Sequence, residues 1–309
     1  MRLIFLGTPA FAVPTLERIV EAAHTVLTVV TQPDRPRGRG QHAAPPPVKE
    51  AALRLGLPVF QPERVRRPEA VEHLRSLAPE AMVVVGYGQI IPQSVIDLAP
   101  LGIINVHASL LPKYRGAGPI QWAIINGETR TGVTTMRIDA GLDTGDMLLK
   151  QETEIGPEET AVELGRRLAV MGADLLVQTL DGLQRGAITP VPQNSAEATH
   201  APLLKKEDGL IDWLQPAAAI HNRVRGLQPW PGASTSFRDG ALHIWRSHPR
   251  SESGEPGRFL SLKPAMVACG TGSLELVEVQ MEGRKRMSAT DFVNGQRLTD
   301  NDRLGETWR

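Results

Sequence analysis

The chain has 309 residues, 41% of them hydrophobic and 22% charged, with 34 Lys and Arg against 34 Asp and Glu. This is globular composition with room for two cores, and it excludes a disordered polyelectrolyte. A balanced total means that any surface for a polyanion must come from local segregation of charge. The single cysteine, Cys269, excludes an internal disulfide framework and a cysteine-based zinc cluster.

Met1–Gly7 runs directly into a strand pattern, without the basic start, long apolar stretch and small-residue cleavage site of a leader peptide. No uncharged apolar run is long enough to span a bilayer. A soluble, cytoplasmic protein with no membrane partner is expected.

Short, largely β-branched runs at Leu3–Leu6, Val26–Val30, Met82–Val85 and Ile103–Val106 predict buried strands of a parallel sheet. Between them, Thr15–Ala23, Pro47–Leu55, Pro68–Leu77 and Pro92–Leu98 carry apolar residues at helical spacing. Such alternation predicts an open, mostly parallel α/β sheet with right-handed crossovers. Thr131–Asp139 and Met147–Glu154 add two strands, and Thr160–Leu183 a long amphipathic helix. Thr189–Pro202, with three prolines and no periodicity, reads as an exposed linker. Beyond it come a helix at Pro216–Leu227 and short strands at Ser234–Phe237, Ala241–Arg246, Ala265–Ala268 and Ser273–Gln280. These predict a small antiparallel β-barrel or sheet. The expected division is a catalytic domain over 1–188, a linker over 189–207 and a C-terminal domain over 208–309.

Chemistry concentrates where one strand breaks its apolar pattern. Asn105 and His107, two residues apart, project to one face of the strand near its carboxyl end. Ligands of open α/β sheets bind at that end. An amide can stabilise a developing oxyanion, and an imidazole can hold or move a proton near neutral pH. A second polar segment, Asp139-Ala-Gly-Leu-Asp-Thr-Gly-Asp146, forms a tight loop between two predicted strands. An aspartate from it could orient His107, as carboxylates do in acyl transfer. The residues alone do not choose among Asp139, Asp143 and Asp146.

Asn105-x-His107, Ser109-Leu-Leu-Pro-Lys-Tyr-Arg-Gly116 and Gly141-Leu-Asp-Thr-Gly145 together resemble the folate-dependent formyltransferases. Further segments are similar to the members of that family that act on methionyl-tRNA. They are Phe5-Leu-Gly-Thr-Pro-Ala-Phe11, Thr31–Gly40, Pro47-Val-Lys49, Pro58-Val-Phe-Gln-Pro62, Ile211-Asp-Trp213, Pro229-Trp-Pro231 and Lys285-Arg-Met-Ser-Ala289. They span nearly the whole chain in order. The resemblance implies a Rossmann-like catalytic domain followed by a small OB-like β-barrel. It assigns catalysis to Asn105, His107 and Asp143, and folate contact to Ser109, Leu110, Leu111 and Pro112. It further implies 10-formyltetrahydrofolate as co-substrate, initiator methionyl-tRNA as partner in translation initiation, no metal, and a monomer. A small Ala108 stands where many members carry glycine.

Asp34-Arg-Pro-Arg-Gly-Arg-Gly-Gln-His42 is a basic loop whose arginine forks suit phosphates and stacked bases. By the resemblance, Arg35, Arg39 and Lys49 meet the tRNA acceptor end, while Arg37 is an additional charge without an assigned role. Lys205 and Lys206, near the linker, are further expected tRNA contacts, and Arg284-Lys285-Arg286 is a candidate for others. A sister formyltransferase acting on a small amine would share the catalytic set but not the basic loop or the complete second domain. A nicotinamide-dependent oxidoreductase would need G-x-G-x-x-G after the first strand, and Gly7-Thr-Pro-Ala-Phe-Ala12 lacks its later glycines. A non-catalytic RNA-binding protein would leave Asn105, His107 and Asp143 without a purpose.

Overall fold

The computed structural model describes residues 1–37, 42–299 and 301–305. The elements of the first two-thirds are, in order, β1 (Arg2–Gly7), α1 (Val13–Glu21), β2 (Thr25–Val30), β3 (Arg35–Arg37), β4 (His42–Ala44), α2 (Pro47–Arg54), β5 (Val59–Phe60), α3 (Pro68–Ser76), β6 (Ala81–Val85), α4 (Gln93–Ile96), β7 (Ile103–His107), α5 (Pro119–Ile125), β8 (Arg130–Arg137), β9 (Met147–Glu154) and α6 (Ala161–Gln184). They are followed by α7 (Ala217–Gly226), β10 (Ala233–Phe237), β11 (Gly240–Arg250), β12 (Phe259–Leu262), β13 (Ala265–Ala268), β14 (Ser273–Met281), β15 (Met287–Ser288) and α8 (Ala289–Gln296).

Two compact units form. The first comprises Met1–Gly116, Arg130–Glu154 and Gly165–Ala201; the second comprises Ala117–Thr129, Ile155–Leu164 and Pro202–Arg309.

In the first unit, seven strands line up as β5-β2-β1-β6-β7-β8-β9. β5 through β7 are parallel, and β8 and β9 add antiparallel strands at one edge. The predicted strands are there because their apolar runs are covered on both faces: β6 and β7 are buried at every position. Pro14, Pro47 and Pro68 sit in the first turns of α1, α2 and α3, where a missing N–H costs little. α4 is only four residues long, shorter than the expected Pro92–Leu98. The chain leaves β1 toward β2 and β5, then returns to add β6 on the other side of β1. The order therefore reverses between β1 and β6, a switch point that opens a crevice at the strand ends. α6 crosses the sheet at Gly172, where a Cβ would lie 2.7 Å from Cγ1 of Val106, so only glycine lets the helix approach β7 this closely.

The basic segment after β2 is not wholly loop. β3 and β4 pair antiparallel, with Arg35 opposite Ala44 and Arg37 opposite His42.

The second unit is an antiparallel sheet of order β10-β11-β14-β13-β12, with β15 added on β14. Antiparallel strands after the helix were expected, and among the described residues the ladder is open between β10 and β12. Its core gathers Trp213, Ile220, Val224, Phe237, Ile244, Leu276, Phe292 and their neighbours, with Trp122 and Ile125 of α5 packed against it. Phe237 and Phe292 meet edge to face at 5.1 Å between ring centres. Cys269 lies in this core, and burial pushes its thiol up to about 12, which removes it as a nucleophile at neutral pH. No described helix is long and apolar enough to cross a membrane.

Candidate active site

β7 lies next but one to β1, so its last residues stand at the carboxyl ends of the parallel strands, where open α/β sheets bind ligands. Asn105 pairs with Val84 of β6 and Met136 of β8, and His107 pairs with Thr134. The two side chains thus share a face of an unbroken ladder, as their spacing predicts. Both are buried, at 8% and 5% relative exposure. Among the described residues the Asn105 carboxamide makes no side-chain hydrogen bond, and it is not one of the polar groups sealed off without a partner, so it stays open to a partner from outside the chain.

His107 is held from both edges. Its Nε2 lies 2.9 Å from the Tyr114 carbonyl oxygen, which can only accept, so Nε2 carries a proton. Its Nδ1 faces Oδ2 of Asp143 at 3.7 Å. Of the three loop aspartates, Asp143 is the one brought to His107. Asp139 turns inward on its own loop and accepts from the Gly141 amide at 3.0 Å and the Thr144 hydroxyl at 2.7 Å. Asp146 contributes its carbonyl to the Arg137 amide.

The loop geometry explains its glycines. A Cβ on Gly145 would sit 2.0 Å from the Arg137 carbonyl oxygen, and one on Gly141 would sit 2.0 Å from Thr144 Oγ1. Asp143 itself has φ of 51°, a left-handed conformation that aspartate tolerates better than most residues. Its Oδ2 accepts the Gly116 amide hydrogen at 2.9 Å.

The segment 109–112 lies against the sheet. Ser109 is fully buried, and its hydroxyl donates to the Lys113 carbonyl at 2.6 Å. Its carbonyl accepts from Thr134 Oγ1 at 2.7 Å, and that same oxygen accepts from the Leu111 amide. Leu110 packs over Gly132, where a Cβ would lie 2.6 Å from Leu110 Cδ2. The Leu111 carbonyl is capped by Lys150 Nζ at 2.7 Å, and the Leu111–Pro112 peptide is cis. In the core beside β1 and β6, Tyr87 is buried with its phenol pushed up to about 12 by desolvation, so it stays protonated at neutral pH.

Sequence reasoning did not single out Thr134, Lys150, Gln193 or Thr199. Gln193 accepts two bonds from the buried Arg115 guanidinium and donates to the carbonyls of Asp143 and Gly145. Thr199 binds the backbone of Tyr114 and Arg115. The last two lie in the stretch expected to be an exposed linker.

The basic residues differ in their freedom. Arg35 is exposed. Lys49 is clamped by Asp34 at 2.7 Å, while Gln61 also donates to Asp34; Gln61 and Lys49 together hold that carboxyl below its ordinary range. Arg39 lies outside the described residues. Lys205 and Lys206 are exposed on the second unit. Also on that unit, the Arg286 guanidinium stacks 3.6 Å from the centre of the Trp245 ring. Among the described residues no group of three or more His, Cys, Asp or Glu side chains could hold a metal ion.

A buried, unpartnered amide beside an imidazole facing a carboxylate, at the strand ends of a doubly wound sheet, defines a group-transfer enzyme. A formyl transferase model matches residues 1–180, and a model of the formyl transferase C-terminal domain matches residues 203–297. The chain belongs to the formyl transferase family. It is similar at 72% identity to the methionyl-tRNA formyltransferase of Solibacter usitatus over 308 residues, 99% of each chain. It is 58% identical to that of Koribacter versatilis, again over 99% of each. Among solved structures it resembles WlaRD, a sugar 3N-formyl transferase, at a TM-score of 0.67 and 18% identity, covering 92% of this chain and 99% of that one. It also resembles HypX from Aquifex aeolicus in complex with tetrahydrofolic acid, at a TM-score of 0.66 and 18% identity. There the whole chain is covered, but it spans only 51% of HypX. These two likenesses concern the fold.

Proposed function

We propose that this transferase moves the formyl group of 10-formyltetrahydrofolate to the α-amino group of methionine on initiator tRNA, giving N-formylmethionyl-tRNA for translation initiation. The observation that carries the reading is the full-length similarity to methionyl-tRNA formyltransferases, which extends through both units rather than the catalytic unit alone. The enzyme works in the cytoplasm as a monomer.

When bound, 10-formyltetrahydrofolate supplies an electrophilic formyl carbon attached to a nitrogen leaving group. The residues present fit it: Asn105 offers a buried carboxamide with no protein partner among the described residues, suited to the formyl oxygen. Ser109, Leu110, Leu111 and Pro112 form the wall that contacts the folate. As the substrate amine adds to the formyl carbon and gives up a proton, the Asn105 amide hydrogens would stabilise the negative charge gathering on oxygen. His107 stands beside that charge, and Asp143 orients its ring. Breaking of the carbon–nitrogen bond would then release tetrahydrofolate, its nitrogen taking up a proton. The 3.7 Å separation of His107 and Asp143 exceeds a hydrogen bond, which leaves room for the pair to tighten around bound substrate. Arg35, Arg39 and Lys49 meet the acceptor end of the tRNA, and Lys205 and Lys206 add phosphate contacts from the second unit, which positions the tRNA.

Incubating the protein with 10-formyltetrahydrofolate and charged initiator tRNA, and counting formylated methionine, tests this reading. Transfer that disappears in His107→Ala is the expected result. Consumption of the folate with a small amine, and none with methionyl-tRNA, would overturn it in favour of a sister activity.

A further inference from the structure

We infer that Gln193 is a positioning residue that sets the aspartate facing His107. Its carboxamide is saturated. Nε2 donates to the carbonyl oxygens of Asp143 and Gly145, each at 2.8 Å. Oε1 accepts from Nε and Nη2 of Arg115, at 3.0 and 2.8 Å. The partners fix which amide atom is which, because carbonyls only accept and a guanidinium only donates. Gln193 therefore ties the loop after β7 to the loop between β8 and β9, the two loops that supply Tyr114 and Asp143 to the imidazole.

The tie falls where it is needed. Asp143 is a non-glycine residue at φ 51°, so its backbone must be held by its surroundings. Gln193 holds its carbonyl, and the Gly116 amide holds its carboxylate. The other end is anchored just as firmly. Arg115 is 5% exposed, its amide donates to the Thr199 carbonyl at 2.8 Å, and its carbonyl accepts from Ala201 at 2.7 Å. Gln193 itself follows Val191, which exchanges two backbone hydrogen bonds with Met147 at the start of β9. The side chain is thus a clip between two loops, and its hydrogen bonds go to Arg115, Asp143 and Gly145 and not to His107 or Asn105.

This inference rests on the assignment of His107 and Asp143 to formyl transfer. The test is Gln193→Glu. Its carboxylate keeps the Arg115 contact, but it sets an acceptor oxygen against two carbonyl oxygens that need donors. The expected result is a kcat lower by on the order of 100-fold, since small misplacement of a catalytic group has that effect. KM for methionyl-tRNA should stay at its wild-type value, while the thermal midpoint falls by a few degrees for the two lost hydrogen bonds. In an Asp143→Ala background the same substitution should add almost no further loss, because the group it positions is gone. The ¹⁵N signals of the His107 ring, identified by their absence in His107→Ala, should shift in Gln193→Glu. Wild-type kcat in the variant, a full multiplied loss on top of Asp143→Ala, or unmoved ring signals would each overturn the inference. If the wild type formylates no methionyl-tRNA, the proposed function falls, and the ring signals still decide the role of Gln193.

Discussion

Oδ2 of Asp143 is shared between the Gly116 amide at 2.9 Å and the face of His107 that carries Nδ1, 3.7 Å away. The backbone bond holds the carboxylate in place on the side of the ring that carries Nδ1. Asp139 and Asp146, a few residues away in sequence, have no such relation to His107; the first closes its own loop and the second acts through its carbonyl.

Asp143→Ala should therefore lower kcat by on the order of 100-fold or more, in the range of lost acid–base assistance. Asp139→Ala should leave turnover nearly intact and cost about 1 kcal/mol of stability, the worth of its loop hydrogen bonds. Steady-state kinetics and urea unfolding on both variants separate the two roles. Equal kinetic effects would return the aspartate assignment to an open choice.

Asn105→Ala should lose roughly 100- to 1000-fold in kcat, as removal of an oxyanion donor does. It should not lose stability, because its carboxamide has no partner among the described residues. A variant with a lower melting temperature and normal turnover would show that the amide serves the fold.

Gly145→Ala places a methyl group against the Arg137 carbonyl, where 2.0 Å is available. Relief requires the loop to move, at a cost of roughly 1–3 kcal/mol. Since Gly145 and Asp143 hang from the same glutamine, kcat should fall together with the unfolding midpoint. Unchanged values of both would show that the loop is looser than its geometry indicates.

Binding of methionyl-tRNA should weaken steeply with salt. Arg35→Gln and the pair Lys205→Gln/Lys206→Gln should each flatten the logarithmic salt slope, by about 1 for every phosphate contact removed. Lys49→Gln should change it less, because Asp34 already holds that ammonium. Filter binding at graded salt concentrations reads all three, and an unaltered slope removes the substituted residue from the interface.

His24 has its pKa lowered from 6.5, chiefly by burial and next by the N-terminal ammonium, with Asp181 opposing. The unfolded chain thus takes up this proton at higher pH than the folded one. Stability is complete above 6.5 and is lost as pH falls toward and through the lowered folded value. Thermal midpoints measured from pH 7.5 downward should decline, and His24→Gln should decline less. Identical slopes would show that His24 does not contribute.

The first sheet was legible because buried parallel strands leave apolar runs in the sequence, and Asn105 and His107 stood out by interrupting one of them. Less visible were elements with no periodic signature. α5, Pro119–Ile125, is apolar around most of its circumference, so no stripe marks it or indicates which core it joins. β12 is a short strand beside a turn. α8 did leave a signal: Ser288 caps it by accepting from the Asp291 amide at 3.0 Å, a Ser-x-x-Asp pattern that could have been read. Gln193 and Thr199 left none. They act through hydrogen bonds to other loops from a proline-rich stretch, and such bonds have no period. The aspartate could be chosen from family resemblance but not from residue chemistry, because the choice depends on where a left-handed turn points one side chain.

The two units alternate along the chain in three segments each, so the chain passes from one to the other five times. A ribosome delivers such a protein out of spatial order. Trp122 and Ile125 of α5 emerge long before Ile220, Val224 and the β-strands that receive them. During that interval an apolar helix has no place to dock. A nascent chain that stalls or terminates early in the second unit would strand α5 and residues 155–164 as sticky loops on an otherwise finished catalytic unit. A chain of this design places its folding risk in the tempo of translation.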